Sequence, residues 1–253
     1  MVWLARVFAA LAFAAAPIAA LADGGPFANW AAVVIAGDYH AAHTDNPTET
    51  FDNARRDVAA ELIRKGFSAD NLRQFSVRPD RYPDTKPGMS DVEPIYDALH
   101  NLAQTATAGC LVYLTSHGSP EGVVVNGGLL APKLLDSLVT ESCGKRPTIV
   151  VISACFSGVF VPALADANRM IMTAADAEHS SFGCSEADKY PYFDTCVLQV
   201  LPAAHDFIDL GPKVQACVAE REQETHMPFS SNPQVSVGAN LKMMLPLMAF
   251  APG

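Results

Sequence analysis

Two residues of this chain have the types and the setting for covalent chemistry at a carbonyl group. Cys155 follows the apolar run IVVI at residues 149–152, separated from it by Ser153-Ala154, and His117 follows CLVYL at 110–114, separated by Thr115-Ser116. A cysteine thiolate is an effective nucleophile near neutral pH, and imidazole exchanges protons in the same range. Short runs that are apolar on both faces and rich in β-branched residues read as central strands of a mostly parallel sheet. In such sheets ligand sites collect just beyond the carboxyl ends of the strands. Two strands would therefore deliver a thiol and an imidazole to one edge. Gly118 follows His117 and Ala154 precedes Cys155, so a substrate backbone has room to approach. Taken singly, each residue has a plainer reading: an inert buried cysteine and a structural histidine. Their shared placement at strand ends carries the catalytic reading.

The elements that must hold this pair alternate in type. A third apolar run, AAVVIA at 31–36, stops at Gly37-Asp38. Asp52 reads as the cap of a helix that carries Val58, Leu62 and Ile63 and ends at Gly66. Ser90 with Glu93 has the form of a capping box and opens a second helix with Val92, Ile95, Leu99 and Leu102 inward. Further helices are expected at 132–139 and 212–224, and a hairpin turn at Asn126-Gly127-Gly128. Strand and helix in alternation imply an α/β fold: a mainly parallel sheet of about six strands, joined by right-handed crossovers and covered on both faces. Residues 40–51 and 78–89 read as long loops.

Composition bounds the setting. The chain has 253 residues, half of them apolar, a formal net charge of −10 and no block of Lys and Arg, which speaks against nucleic acid as a partner. Residues 1–22 carry a basic start, an Ala/Leu/Phe run and the small-x-small end Ala20-Leu21-Ala22, the pattern of a signal peptide. The expectation is a protein domain over 23–253, secreted or periplasmic, with no membrane anchor left after signal removal. Export permits disulfides. Of six cysteines, Cys184 and Cys196 lie close in sequence and are the expected pair. His40 and His43 with Asp38 and Asp45 lie in a polar loop and read as cleft rim rather than as a metal site; no metal or cofactor is expected.

The motifs resemble a known family. Leu114-Thr115-Ser116-His117-Gly118-Ser119 and Ile152-Ser153-Ala154-Cys155-Phe156-Ser157-Gly158 are similar to the His-Gly and Ala-Cys blocks of the legumain peptidases. A third block follows in the same order: Thr173-Ala174-Ala175-Asp176, Ser180-Ser181-Phe182-Gly183-Cys184, and Tyr192-Phe193-Asp194. The resemblance implies the caspase-like fold and an acyl-enzyme mechanism without cofactor, acting on a peptide or protein. It makes Cys155 the nucleophile and His117 its partner. The amides of Gly118 and Cys155 would form the oxyanion hole. In one register, Asn53-Ala54-Arg55-Arg56 makes Asn53 the group that orients His117 and Arg55 a substrate-binding residue; a register anchored on Asp57 puts Asn53 at the arginine position instead. Ser153, which stands where legumain has Glu, joins Ser180, Ser181 and Asp194 as the remaining pocket residues, and Asp194 would set a preference for Asn, a basic side chain or another polar residue before the cut. Legumain also carries a C-terminal covering domain, and this chain is expected to need only signal removal for activity. The same chemistry would serve a transamidase or transpeptidase, and a caspase-like scaffold can also act as a non-catalytic binding module.

Overall fold

The computed structural model describes residues 25–252 apart from residues 43 and 45, so the expected signal peptide at 1–22 lies outside the described residues. In chain order the elements are β1 (Trp30–Ala36), α1 (Thr50–Arg64), β2 (Leu72–Ser76), β3 (Gly88–Met89), α2 (Val92–Thr105), β4 (Gly109–Thr115), β5 (Gly118–Ser119), β6 (Gly122–Val125), β7 (Gly128–Leu130), α3 (Pro132–Cys143), β8 (Thr148–Ser153), α4 (Phe160–Leu164), β9 (Arg169–Thr173), α5 (Tyr192–Val200), α6 (Phe207–Glu224), β10 (Gln234–Val237) and α7 (Ala239–Met244).

The main sheet has seven strands in the order β10-β9-β8-β4-β1-β2-β3. All neighbours pair in parallel except β10, which joins the edge antiparallel to β9. The runs around residues 31–36, 110–114 and 149–152 form β1, β4 and β8, and every residue of these strands is buried. Successive side chains point to opposite faces. Ala32, Val34, Leu111, Tyr113, Ile149 and Val151 pack on one side with α1, α5 and α6. Val33, Ile35, Val112, Leu114, Val150 and Ile152 pack on the other with α2 and α3. The result is a three-layer α/β arrangement.

The chain starts at β1, runs outward to β2 and β3, then returns to β4 on the other side of β1 and continues to β8 and β9. The strand order therefore reverses between β1 and β4, and in open parallel sheets a ligand crevice opens beyond the carboxyl ends at such a point. The loops after β1, β4 and β8 all emerge there.

Several local expectations change. α1 starts at Thr50, and Asp52, two residues inside, accepts at Oδ1 from Arg55 Nε rather than from the helix amides. Ser90 forms no capping box: its hydroxyl has no partner, and the helix begins after Asp91, whose carboxylate accepts from Asn126 Nδ2. α6 begins at Phe207, five residues before Pro212, because Asp206 caps it by accepting the Asp209 amide and Phe207, Leu210, Val214 and Val218 form its buried face. The hairpin at Asn126-Gly127 does form between β6 and β7, and both central residues take the left-handed backbone (φ 49° and 75°) such a turn requires.

The cysteines pair differently from the expectation. Cys110 bonds Cys143, tying β4 to α3, and Cys196 bonds Cys217, tying α5 to α6. Cys184 is a free thiol, not the partner of Cys196. Cys196 points from α5 into the helix layer, whereas Cys184 precedes that helix and packs with Ala36 and Phe51 beneath the cleft.

Candidate active site

Cys155 sits one turn beyond β8, where the chain reverses. Phe156 takes a left-handed conformation (φ 55°), an uncommon state for a bulky residue. Its amide donates to the His179 carbonyl (2.9 Å), and Gly158 packs so close that a Cβ there would lie 2.5 Å from the Asp176–Ala177 backbone. This tight turn leaves the Cys155 thiol half-exposed, with Sγ 3.6 Å from both the carbonyl oxygen and the hydroxyl of Ser181. Gly118 packs on the Cys155 backbone. A Cβ added there would lie 2.3 Å from the Cys155 carbonyl oxygen and 3.0 Å from Ala154 Cβ, so the β4 and β8 loops approach through a position only glycine fits.

His117 is fixed by a backbone group. Its Nε2 lies 2.9 Å from the carbonyl oxygen of His40. A carbonyl only accepts, so Nε2 carries the proton and the neutral ring keeps Nδ1 as its basic atom. Phe51 holds the ring edge-to-face at 5.0 Å between centroids. The His40 carbonyl is itself fixed. Asp38 Oδ1 accepts the amides of Tyr39 (2.6 Å) and His40 (3.1 Å) and meets the His40 ring at Nδ1 (2.7 Å).

Both residues open onto one cavity of about 830 Å³. One wall is the loop after β1, with His40, Ala41, Ala42 and Thr44; the other runs from Ser180 through Ser185 to Asp188, with Phe229 at the rim. The walls are joined by Ala42 N–H donating to the Cys184 carbonyl (2.7 Å) and by Thr50 Oγ1 donating to the Asp188 carbonyl (2.8 Å). Burial pushes the Cys184 thiol well above its ordinary range, which disfavours its thiolate.

Of the residues singled out from the sequence, Cys155, His117, Gly118, Ser180 and Ser181 meet at this cavity. Four do not. Asn53 Nδ2 donates to the Lys189 carbonyl (3.2 Å) and does not orient His117; the His40 carbonyl occupies that role. Arg55 is fully buried, bonded to Asp52 (2.8 Å) and Gln74 (2.6 Å) and stacked on Tyr82. It braces α1 against β2 and the loop that follows. Asp194 is fully buried below the sheet, where it accepts from Tyr113, from Thr115 Oγ1 (2.8 Å) and from Ser153 Oγ (2.7 Å). Ser153 is consumed by that contact, so neither residue faces the cavity. Desolvation raises the Asp194 carboxyl to about 6, against the lowering effect of its three hydroxyl donors.

Sequence reasoning missed the His40 carbonyl, Phe51, Cys184 and Asp188. His40 does line the cleft rim as expected, while His43 and Asp45 lie outside the described residues. Among the described residues no group of three His, Cys, Asp or Glu side chains is arranged to hold a metal, and no helix is long and apolar enough to cross a membrane.

This architecture is that of the caspase-like proteins. The crystal structure of caspase-1 from Spodoptera frugiperda superposes with a TM-score of 0.59 over 83% of this chain and 87% of its own, at 15% identity, a likeness of fold. Residues 21–206, which include both His117 and Cys155, match the model of the Peptidase C13 family, and the chain belongs to that family. No curated protein matches the chain.

Proposed function

We propose that this protein is a cysteine endopeptidase that works through an acyl-enzyme on Cys155. The observation that supports it best is the meeting of a half-exposed thiol and a carbonyl-tethered imidazole at one cavity, beyond the strand ends of a Peptidase C13 chain. His117 Nδ1 takes the Cys155 thiol proton, and the resulting thiolate adds to the scissile carbonyl and forms a C–S bond. The negative charge moves to the carbonyl oxygen, where the amides of Gly118 and Cys155 receive it, a contribution of about 10²–10³ in rate in comparable sites. Collapse of the adduct breaks the C–N bond, and the imidazolium of His117 gives its Nδ1 proton to the departing amine. Neutral His117 then takes a proton from water, whose oxygen displaces Sγ from the acyl carbon and frees the new carboxylate.

The locked Nε2–H···O contact makes this assignment specific. The ring cannot turn over without losing its bond to the His40 carbonyl, so the same nitrogen serves both proton transfers. Two disulfides support the further proposal that the protein works outside the reducing cytoplasm, as its N-terminal pattern suggests.

A proteome-derived peptide library, digested and read by mass spectrometry, tests the proposal. Wild type should produce new termini. Cys155→Ala should produce none while keeping its far-UV circular dichroism. New termini from the alanine variant would remove Cys155 from the mechanism.

A further inference from the structure

We infer that Asp188 selects a basic side chain, lysine or arginine, in the residue before the scissile bond, an inference that rests on the peptidase reading of Cys155. The geometry of the thiol defines which wall meets that side chain. Gly118 packs on the Cys155 main-chain carbonyl and Ser181 lies against its thiol. A substrate carbonyl that turns its oxygen to the Gly118 amide turns its side chain the opposite way, along the wall that begins at Ser181 and continues to Ser185 and Asp188. The loop after β1 faces this wall and is bonded to it at Ala42 and Thr50, so the two enclose a slot rather than an open shelf.

The carboxylate in that slot is held in place and uncompensated. Asp188 Oδ2 accepts the Ser185 amide (2.8 Å) and the Ser185 hydroxyl (2.6 Å), which fixes the group. Its Oδ1 has no partner among the described residues, and no lysine or arginine among them lines the cavity. The neighbouring cations are engaged elsewhere: Arg56 is paired with Asp57 (2.8 Å), and the Lys189 ammonium lies over the Tyr190 ring. Next to the cavity-lining Thr44, Glu186 adds a second negative charge while it accepts from Thr44 (3.3 Å) and Asn46 (2.7 Å).

This donor and acceptor pattern separates a cation from an amide. A lysine or arginine head needs acceptors only. An asparagine side chain needs a donor for its oxygen as well; beside Asp188 the Ser185 and Thr44 hydroxyls already donate, to Asp188 and Glu186, and the other serines of that wall, Ser180 and Ser181, stand at its Cys155 end. An acidic side chain meets like charge. The family resemblance put the selecting carboxylate at Asp194, which is buried under the sheet; Asp188 is the carboxylate that reaches the cleft.

The test uses peptidyl electrophiles that differ only in the residue next to the reactive group: Arg, Lys, Asn or Leu. Second-order rates of Cys155 modification are read by intact mass in wild type and in Asp188→Asn. In wild type Arg and Lys probes should react fastest. In the variant the ratio of the Arg rate to the Leu rate should fall by about 10- to 100-fold, the range for loss of one charge-assisted contact. The ratio is insensitive to any fraction of variant that fails to fold. An unchanged ratio, or a wild type that prefers Asn or Leu, overturns this inference and leaves Cys155 as nucleophile. Failure of every probe to modify Cys155 overturns the peptidase reading and this inference together.

Discussion

Replacing Asp194 by Asn should flatten the pH dependence of stability without altering cleavage preference. The carboxyl is fully buried and its folded-state value is raised from 3.8 to about 6, chiefly by desolvation. At about 1.4 kcal/mol for each pH unit, ionising it costs the folded state roughly 3 kcal/mol relative to the unfolded chain. The direction follows from proton counting. Between about pH 4 and pH 6 the folded protein holds a proton that the unfolded chain has released. Stability from this group is therefore complete below about pH 4 and is lost as pH rises through 6. Asn does not titrate, and the hydroxyls of Tyr113, Thr115 and Ser153 can reorient to serve its amide. Denaturant unfolding of Cys155→Ala protein, with and without Asp194→Asn, isolates the effect from self-cleavage and from other carboxylates. On going from pH 4 to pH 7.5 the Asp194 protein should lose roughly 3 kcal/mol relative to the Asn variant, or roughly 6–12 °C in Tm for a domain of this size. A difference that does not change with pH, or that changes with the opposite sign, would refute the reasoning.

Gly118→Ala should keep the fold by circular dichroism but lower turnover by about 10²-fold or more, because its Cβ would lie 2.3 Å from the Cys155 carbonyl and displace the proposed oxyanion site; near-normal turnover would contradict the close approach. In folded Cys155→Ala protein the buried Cys184 should resist iodoacetamide at pH 8 and react once denaturant is added; rapid modification of the folded form would contradict its burial. Replacing Cys196 and Cys217 together by serine, which opens a loop with a sequence separation of 21, should cost about 3 kcal/mol in denaturant unfolding. No change in midpoint would show that α5 and α6 hold together without the bond.

The placement of Cys155 and His117 at one edge of the sheet was legible in the sequence because its supports are. β1, β4 and β8 are unbroken apolar strands, so their ends could be placed to within a residue or two and the side chains that follow them assigned to one edge. The flanking strands were less visible for physical reasons. β2 puts Arg73 and Gln74 outside the core, β3 has two residues, and β10 is a half-buried edge. The pocket was misread where motif order stood in for orientation. Tyr192-Phe193-Asp194 opens a helix, and the buried set Phe193, Asp194, Cys196 and Val197 turns Asp194 towards Tyr113 and Thr115 below the sheet. The group that orients His117 is a main-chain carbonyl, which has no residue-type signature. Asp188 had a signal of a kind, a carboxylate three residues after Ser185 in a polar loop, but only the fold shows that this loop walls the cleft. The disulfides link elements from different layers of the fold or distant parts of one, so proximity in sequence pointed to the wrong pair.

The most direct test of the catalytic assignment is the site and rate of attack by a peptidyl acyloxymethyl ketone. Peptide mapping by mass spectrometry should find one adduct per chain, on Cys155. The rate of its formation should fall by about 10²-fold or more in His117→Ala, while free iodoacetamide still reaches the thiol in that variant. An adduct on another residue, or an undiminished rate without His117, would contradict the account.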